Sequence, residues 1–265
     1  MPALEVISGM STAIGATLAA MTATTGDTFA VKAFDASKRA YMIQAWAAPQ
    51  VAGTARIRSP KFHDNVNGIR YRTTAADFKP FLPWGARQVL FPTDVLTFEL
   101  AGSAVAGDIE YLAALNYYED LPGSAARLIT RDALLARIDQ IVTVENTLAT
   151  PTSGGYAASQ AINTTIDQFQ AGADYALLGL KCSAATPIIG YRCPEFGNVR
   201  VGAPGDASDF DLYSDWFARL SMLTGLATVP VFNGQNKASL NIDAAQDENG
   251  ADPVVTTWLA KLKAA

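Results

Sequence analysis

Histidine is almost missing from this sequence: its 265 residues contain one, His63. A cupin-type metal centre needs several imidazoles at fixed spacing, so that site is excluded, and a Ser–His–Asp or Cys–His site would have to be built on His63 alone. His63 lies in the polar run His63-Asp64-Asn65-Val66-Asn67-Gly68 with no nucleophile-elbow sequence beside it, and it reads as a surface-loop residue. Cysteine is nearly as scarce. Cys182 and Cys193, with Pro187 and Gly190 between them, are placed on adjacent strands of a hairpin; two cysteines make no disulfide framework, so both are expected as buried free thiols. Charged residues make up only 17% of the chain, the net charge is −5, and there is no basic block, which argues against direct nucleic-acid binding. The first cationic side chain is Lys32, so no secretory signal is expected, and no apolar run reaches the roughly 18 residues of a membrane-spanning helix. A Gly-x-x-x-x-Gly-Lys-Ser/Thr phosphate loop is absent, and Gly154-Gly155 and Gly202 to Gly205 read as ordinary loops.

The remaining chemistry is carboxylate and tryptophan. Asp206, Asp209, Asp211 and Asp215 form one acidic cluster, and Asp243, Asp247, Glu248 and Asp252 another. Neither has calcium-loop spacing, and both read as solvated loops rather than as a cation site or a glycosidase pair. Trp46, Trp84 and Trp258 would make a sugar platform if exposed, but tryptophan in strands more often packs in a core or an interface. No catalytic, cofactor-binding or metal residue is therefore assigned, no cofactor is expected, and the chain is not read as an enzyme.

What the chain has in quantity is short strands. Alternating or aromatic-rich runs at 29–34, 41–46, 56–58, 69–72, 87–91, 95–100 and 109–118 are separated by turn residues, with a short helix expected at 75–78. Asp120-Leu121-Pro122-Gly123 punctuates the middle. Thr130 then caps the one strong helix, with Leu134, Leu135 and Ile138 on one side. Strands resume at 141–144, 175–180, 188–192 and 199–201. An acidic loop at 202–211 follows, then a helix capped by Ser214 and stopped at Gly225, and strands at 229–232, 238–242 and 254–262. Such spacing means an all-β sandwich or barrel, and each half has room for about eight strands.

The halves also resemble each other. Arg58-Ser59-Pro60-Lys61-Phe62, followed shortly by Asn67-Gly68-Ile69-Arg70, returns as Arg192-Cys193-Pro194-Glu195-Phe196, followed at once by Gly197-Asn198-Val199-Arg200. Asp27-Thr28-Phe29-Ala30-Val31 is set against Asp174-Tyr175-Ala176-Leu177, and Leu96-Thr97-Phe98-Glu99 against Leu240-Asn241-Ile242-Asp243. The last register, continued without a gap, sets Asp108 against Asp252 and Leu115 against Leu259. Three collinear anchors indicate a duplication, with residues 1–122 as the first unit, 123–140 as a helical linker and 141–265 as the second.

A duplicated β-barrel of this size without catalytic equipment resembles the double jelly-roll major capsid proteins of tailless icosahedral viruses and phages. The resemblance is architectural and carries over no functional residue. It implies two jelly-roll β-sandwiches in tandem and a homotrimer that packs with neighbouring capsomers and other virion proteins. It also implies production in the host cytoplasm, residence in the virion, and room for an N-terminal arm to touch an internal membrane. The concentration of Phe91, Phe98, Tyr111, Tyr117 and Tyr118 in a stretch without Lys or Arg is read as surface buried between subunits. Two other classes stay open: a carbohydrate- or receptor-binding virion module such as a fibre or decoration protein, and a hydrolase on the same scaffold.

Overall fold

Apolar runs cut short by Gly, Pro, Asn and Asp give strands rather than helices here. A computed structural model describes residues 1–12, 14–48, 52–74, 79–102, 109–149, 154–162, 168–205, 210–246 and 252–264. The first half contains β1 (Ala3–Ser11), β2 (Ala19–Ala20), β3 (Thr22–Ala23), β4 (Ala40–Ala48), β5 (Gly53–Arg58), β6 (Ile69–Thr73), β7 (Gln88–Leu90), β8 (Thr97–Ala101) and β9 (Glu110–Tyr118). A joint follows with β10 (Leu128–Ile129) and α1 (Arg131–Arg137). The second half contains β11 (Ile138–Thr147), β12 (Gln160–Ala161), β13 (Asp174–Cys182), β14 (Thr186–Arg192), β15 (Val201–Gly205), α2 (Phe210–Tyr213), α3 (Trp216–Thr224), β16 (Val229–Asn233), β17 (Asn241–Ala245) and β18 (Val254–Leu262).

The fold is all-β: four antiparallel sheets arranged as two sandwiches. In the first half the sheet β3-β1-β9-β4-β7 faces β2-β8-β5-β6; in the second, β10-β16-β13-β18-β11 faces β12-β17-β14-β15. Setting β3 and β10 aside, the order is the same in both. If the eight remaining strands of each half are counted along the chain, one sheet runs 1-8-3-6 and the other 2-7-4-5. Register matches as well as order. Arg58 ends β5 opposite Thr97, and Arg192 ends β14 opposite Asn241. Each Arg leads into the same turn, in which the Phe62 amide donates to the Ser59 carbonyl (3.1 Å) and the Phe196 amide to the Cys193 carbonyl (2.9 Å). Leu115 and Leu259 are both sixth residues of nine-residue strands, as the downstream anchor requires.

The upstream anchor fails. Asp174 to Leu177 opens β13, whose counterpart by order is β4, not the segment 27–31. Residues 29–34 form no strand; Ala30 makes one isolated bridge to Val95, and Phe29 stacks on Phe98 at 4.7 Å. Their alternation comes from a loop pressed on the sandwich, and β4 pairs with β9 and β7 instead. Residues 202–205 are strand, not loop. The hairpin expected for the cysteines is also absent, since β13 and β14 belong to different sheets. Both cysteines are buried, and neither is in a disulfide. Thr130 caps α1 as expected, its hydroxyl accepting from the Ala133 amide (3.3 Å), but only Leu134 of the apolar trio is buried within the helix, and Ile138 already belongs to β11. Asp215, not Ser214, is the N-cap of α3. The helix expected at 75–78 lies outside the described residues.

Every residue of β4 and β9 is buried. One face of their sheet, including Met42, Ala45, Leu112 and Ala114, joins Ile57, Phe98 and Leu100 in the core of the first sandwich. The other face, with Leu4, Val6, Ile43, Trp46, Tyr111 and Leu115, joins the second half. Trp46 donates to the Pro187 carbonyl (2.8 Å) and meets Trp216 edge-on at 5.9 Å, and Tyr111 donates to the Gln246 carbonyl (2.9 Å). Phe98, Tyr111, Tyr117 and Tyr118 are therefore covered within the chain, which removes them as evidence for a subunit interface; of that group only Phe91 is exposed. β1 is a buried strand of the same sheet, so residues 3–11 are not a free N-terminal arm.

Each half closes on itself. The Leu121 amide donates to the Met1 carbonyl (2.8 Å), and the Lys263 amide to the Arg137 carbonyl (2.8 Å), with Arg137 Nη2 donating back to Lys263 O (3.1 Å).

Candidate functional site

The densest group of buried ionisable side chains lies on the seam between the sandwiches. Arg200 immediately precedes β15, and its carbonyl accepts from the Val6 amide of β1 (2.8 Å). Its guanidinium reaches across the outer face of the four-stranded sheet of the second half. Nη1 donates to Asp27 of the first half (2.6 Å), while Nε and Nη2 donate to Asp243 of β17 (3.2 and 3.3 Å). The side chains of Arg200 and Asp27 are 5% and 4% exposed, so these are buried pairs. The Tyr156 ring lies against the guanidinium with Arg200 Cζ 3.3 Å from its centre, and its hydroxyl donates to Asp27 Oδ2 (3.3 Å). Ser8 completes the shell, its amide (3.0 Å) and hydroxyl (2.8 Å) both donating to that oxygen. Arg192 Nε stands 3.9 Å from Asp243.

Burial sets the electrostatics. It pushes the Asp27 and Asp243 carboxyls above their ordinary value, against the pull of Arg200, and pushes the Tyr156 phenol well up. Burial also presses the Arg200 guanidinium down, but its interactions with Tyr156, Asp243 and Asp27 more than reverse this and leave it above its ordinary value. Two arginines against two aspartates leave no net charge to neutralise. The cluster's chemistry is that of a clamp: removing one member strands the others in a dry seam.

The sequence reading placed Asp243 in a solvated loop. It is instead a buried residue of β17, because the first half covers the outer face of its sheet. The period-2 pattern of Asn241, Ile242 and Asp243 gave the signal for a strand, but nothing local says what covers a strand's polar face. Arg200 was marked in the sequence only as the arginine matching Arg70, and the register corrects that match, since Gly202 holds the place of Arg70 and Arg200 precedes the strand. Asp215 is exposed and pairs with Arg219 (3.0 Å). Asp206, Asp209, Asp247 and Glu248 lie outside the described residues. His63 is exposed in the β5–β6 loop. Trp46 is buried, Trp84 is partly exposed and packs on Trp216 at 5.8 Å, and Trp258 is half-buried on β18, so the three do not form one exposed platform.

A second charged group occupies the matching face of the first half. Glu99, third residue of β8 as Asp243 is of β17, accepts from Arg58 Nε (3.1 Å) and Nη2 (3.2 Å) and from Arg56 Nε. Burial pushes Glu99 up, and these two arginines more than reverse it. Arg70 and Arg72 of β6 share that outer face and are exposed.

A cleft of about 540 Å³ is lined by Arg137, Asp139, Asp174, Asn233, Lys261 and Lys263, among others. Its charges are paired across it, Lys261 with Asp139 (3.3 Å) and Arg137 with Asp174 (3.7 Å), and no nucleophile–base pair faces it. Among the described residues no group of three or more His, Cys, Asp or Glu side chains is placed to hold a metal ion.

No family model matches the chain, and no curated protein matches it. Among solved structures, the crystal structure of the PBSX exported protein XepA aligns over 98% of this chain and 86% of its own, at 9% identity and a TM-score of 0.26. A likeness that slight carries no argument about fold or function.

Proposed function

We propose that this chain is a structural coat protein, a double jelly-roll major capsid subunit that forms homotrimeric capsomers of an icosahedral virion. One observation carries the reading: two eight-stranded sandwiches in one chain share the orders 1-8-3-6 and 2-7-4-5. That is the order of a jelly roll, an architecture used by viral capsid and lectin domains. Two equivalent sandwiches per chain give a trimer six similar outward edges, and six edges tile a hexagonal lattice. The Arg200 clamp fits such a role because it fixes the angle between the sandwiches. On this reading the protein works by assembly rather than catalysis, is made in the host cytoplasm and resides in the virion, and its partners are copies of itself and other coat components.

Size-exclusion chromatography with light scattering tests the proposal, with negative-stain microscopy of the same fractions. A species of three times the 28.0 kDa chain mass, or closed particles, is expected. A stable monomer at high concentration under every ionic condition overturns it and favours the receptor-binding module.

A further inference from the structure

The seam described above uses one face of one sheet: the outer face of β12-β17-β14-β15 in the second half. Its counterpart in the first half, the outer face of β2-β8-β5-β6, has the same framework and no covering sandwich among the described residues. Glu99 matches Asp243 and Arg58 matches Arg192 by strand register. The differences lie between these fixed points. Arg56 pairs with Arg70 where Gly190 pairs with Gly202. In the second half the two glycines make room: a Cβ on Gly202 would lie 2.8 Å from Val6 Cγ1, and one on Gly190 would collide with Asp243 and Arg200. In the first half those places are filled with guanidinium groups.

From this we infer that the outer face of β2-β8-β5-β6 is where one copy of the chain docks on the next, with Arg70 and Arg72 taking carboxylates from the neighbouring copy. The inference rests on the coat-subunit reading and names the contact it requires. Three observations support a second copy as the occupant. The equivalent face already joins sandwich to sandwich inside the chain, and does so by receiving a carboxylate, Asp27, from the sandwich laid on it. The face is cationic: it holds four of the chain's twelve arginines, and Glu99 accepts only from Arg56 and Arg58. Arg70 and Arg72 have no carboxylate partner among the described residues; Arg70 Nε donates only to the Asn67 carbonyl (3.2 Å). The rest of the chain is correspondingly more acidic than its net charge of −5, so a second copy brings the complementary charge.

The test is the double variant R70E/R72E beside R70K/R72K and the unaltered chain, with assembly followed by light scattering at low and high salt. The unaltered chain should assemble, and more weakly as salt rises. R70E/R72E should need an about tenfold or greater increase in protein concentration to reach the same assembly, and R70K/R72K should stay close to the unaltered chain. The circular dichroism spectrum should not change, and melting temperatures should match at a concentration low enough that both forms are monomeric, because both side chains are exposed in the single chain. If the unaltered chain assembles and R70E/R72E assembles equally well, the docking inference falls and the coat reading stands. If the unaltered chain is monomeric throughout, both fall. Sedimentation with phosphatidylglycerol vesicles covers the other source of negative charge: loss of vesicle binding in R70E/R72E with assembly unchanged would assign the face to lipid and overturn the proposal.

Discussion

β5 and β14 hold the same place in their sandwiches, run in the same register against β8 and β17, and end in the same Arg-led turn, yet one outer face is dry and the other wet. On the dry face Gly202 lets Val6 of the first half approach, Gly190 leaves room for Asp243 and Arg200, and Arg200 bonds two buried carboxylates. On the wet face Arg56 and Arg70 stand at those positions, and Glu99 is held by two arginines of its own sheet. The same scaffold thus becomes an internal seam or an outer surface according to two residues in its middle. A small side chain permits contact; a long cationic one keeps a face solvated and charged.

The largest effect should come from removing the clamp. Arg200→Ala leaves Asp27 and Asp243 buried without their cation, which typically costs about 3–5 kcal/mol, and urea denaturation should show that loss. An unchanged midpoint would mean that water replaces the guanidinium. Next comes the same substitution made on both faces. Gly202→Val overfills the contact with Val6 and should cost about 1–3 kcal/mol. Arg70→Val, at the matching position of the open face, should stay within about 0.5 kcal/mol when measured on the monomeric chain. Equal costs would show that the two faces do not differ in burial in solution.

The smallest effect is on acid stability, and its sign separates the faces. Asp27 and Asp243 have raised folded values, so the folded chain takes up their protons before the unfolded chain does. Acidification through that window therefore does not weaken the seam. Glu99 and Asp174 have lowered values, Glu99 through Arg56 and Arg58 and Asp174 through Arg127, in each case against the upward push of burial. Their contribution is present above the ordinary values of 4.5 and 3.8 and is lost as pH falls through the lower folded values. Urea midpoints should decline only on that acid limb, and Glu99→Gln should flatten it.

Legibility from sequence follows the same division. The Arg-x-Pro-x-Phe repeat and the β8/β17 match were readable because they are local: a strand end, a turn and a buried Phe each leave a signature of a few residues. The β9/β18 match followed from continuing that register. The segment 27–31 misled because a loop packed on a sandwich also buries alternate side chains. The aromatics of β9 misled for a different reason. Tyr111 and Tyr117 fall on the outward side of their strand, and the sequence was correct that this side is buried. It could not say that the cover is the second half of the same chain, because that depends on how the sandwiches meet. Arg200, Gly190 and Gly202 share that dependence, and none stands out in isolation.

The closure of each half on itself bears on how such a chain could arise. Leu121 returns to Met1 and Lys263 to Arg137 through main-chain hydrogen bonds. A unit whose two ends already lie side by side can be copied head to tail in a gene without disturbing either copy, because the new joint bridges a short gap rather than crossing a sheet. The stretch from Pro122 to Ala136, which turns at Gly123 and lays down β10 and most of α1, is then the piece that a duplication had to supply. The same geometry allows each unit to be reopened elsewhere: with residues 121 and 1, or 263 and 137, joined by a short linker, a new start could be cut into an exposed turn such as 64–68 while the strand order stayed as it is.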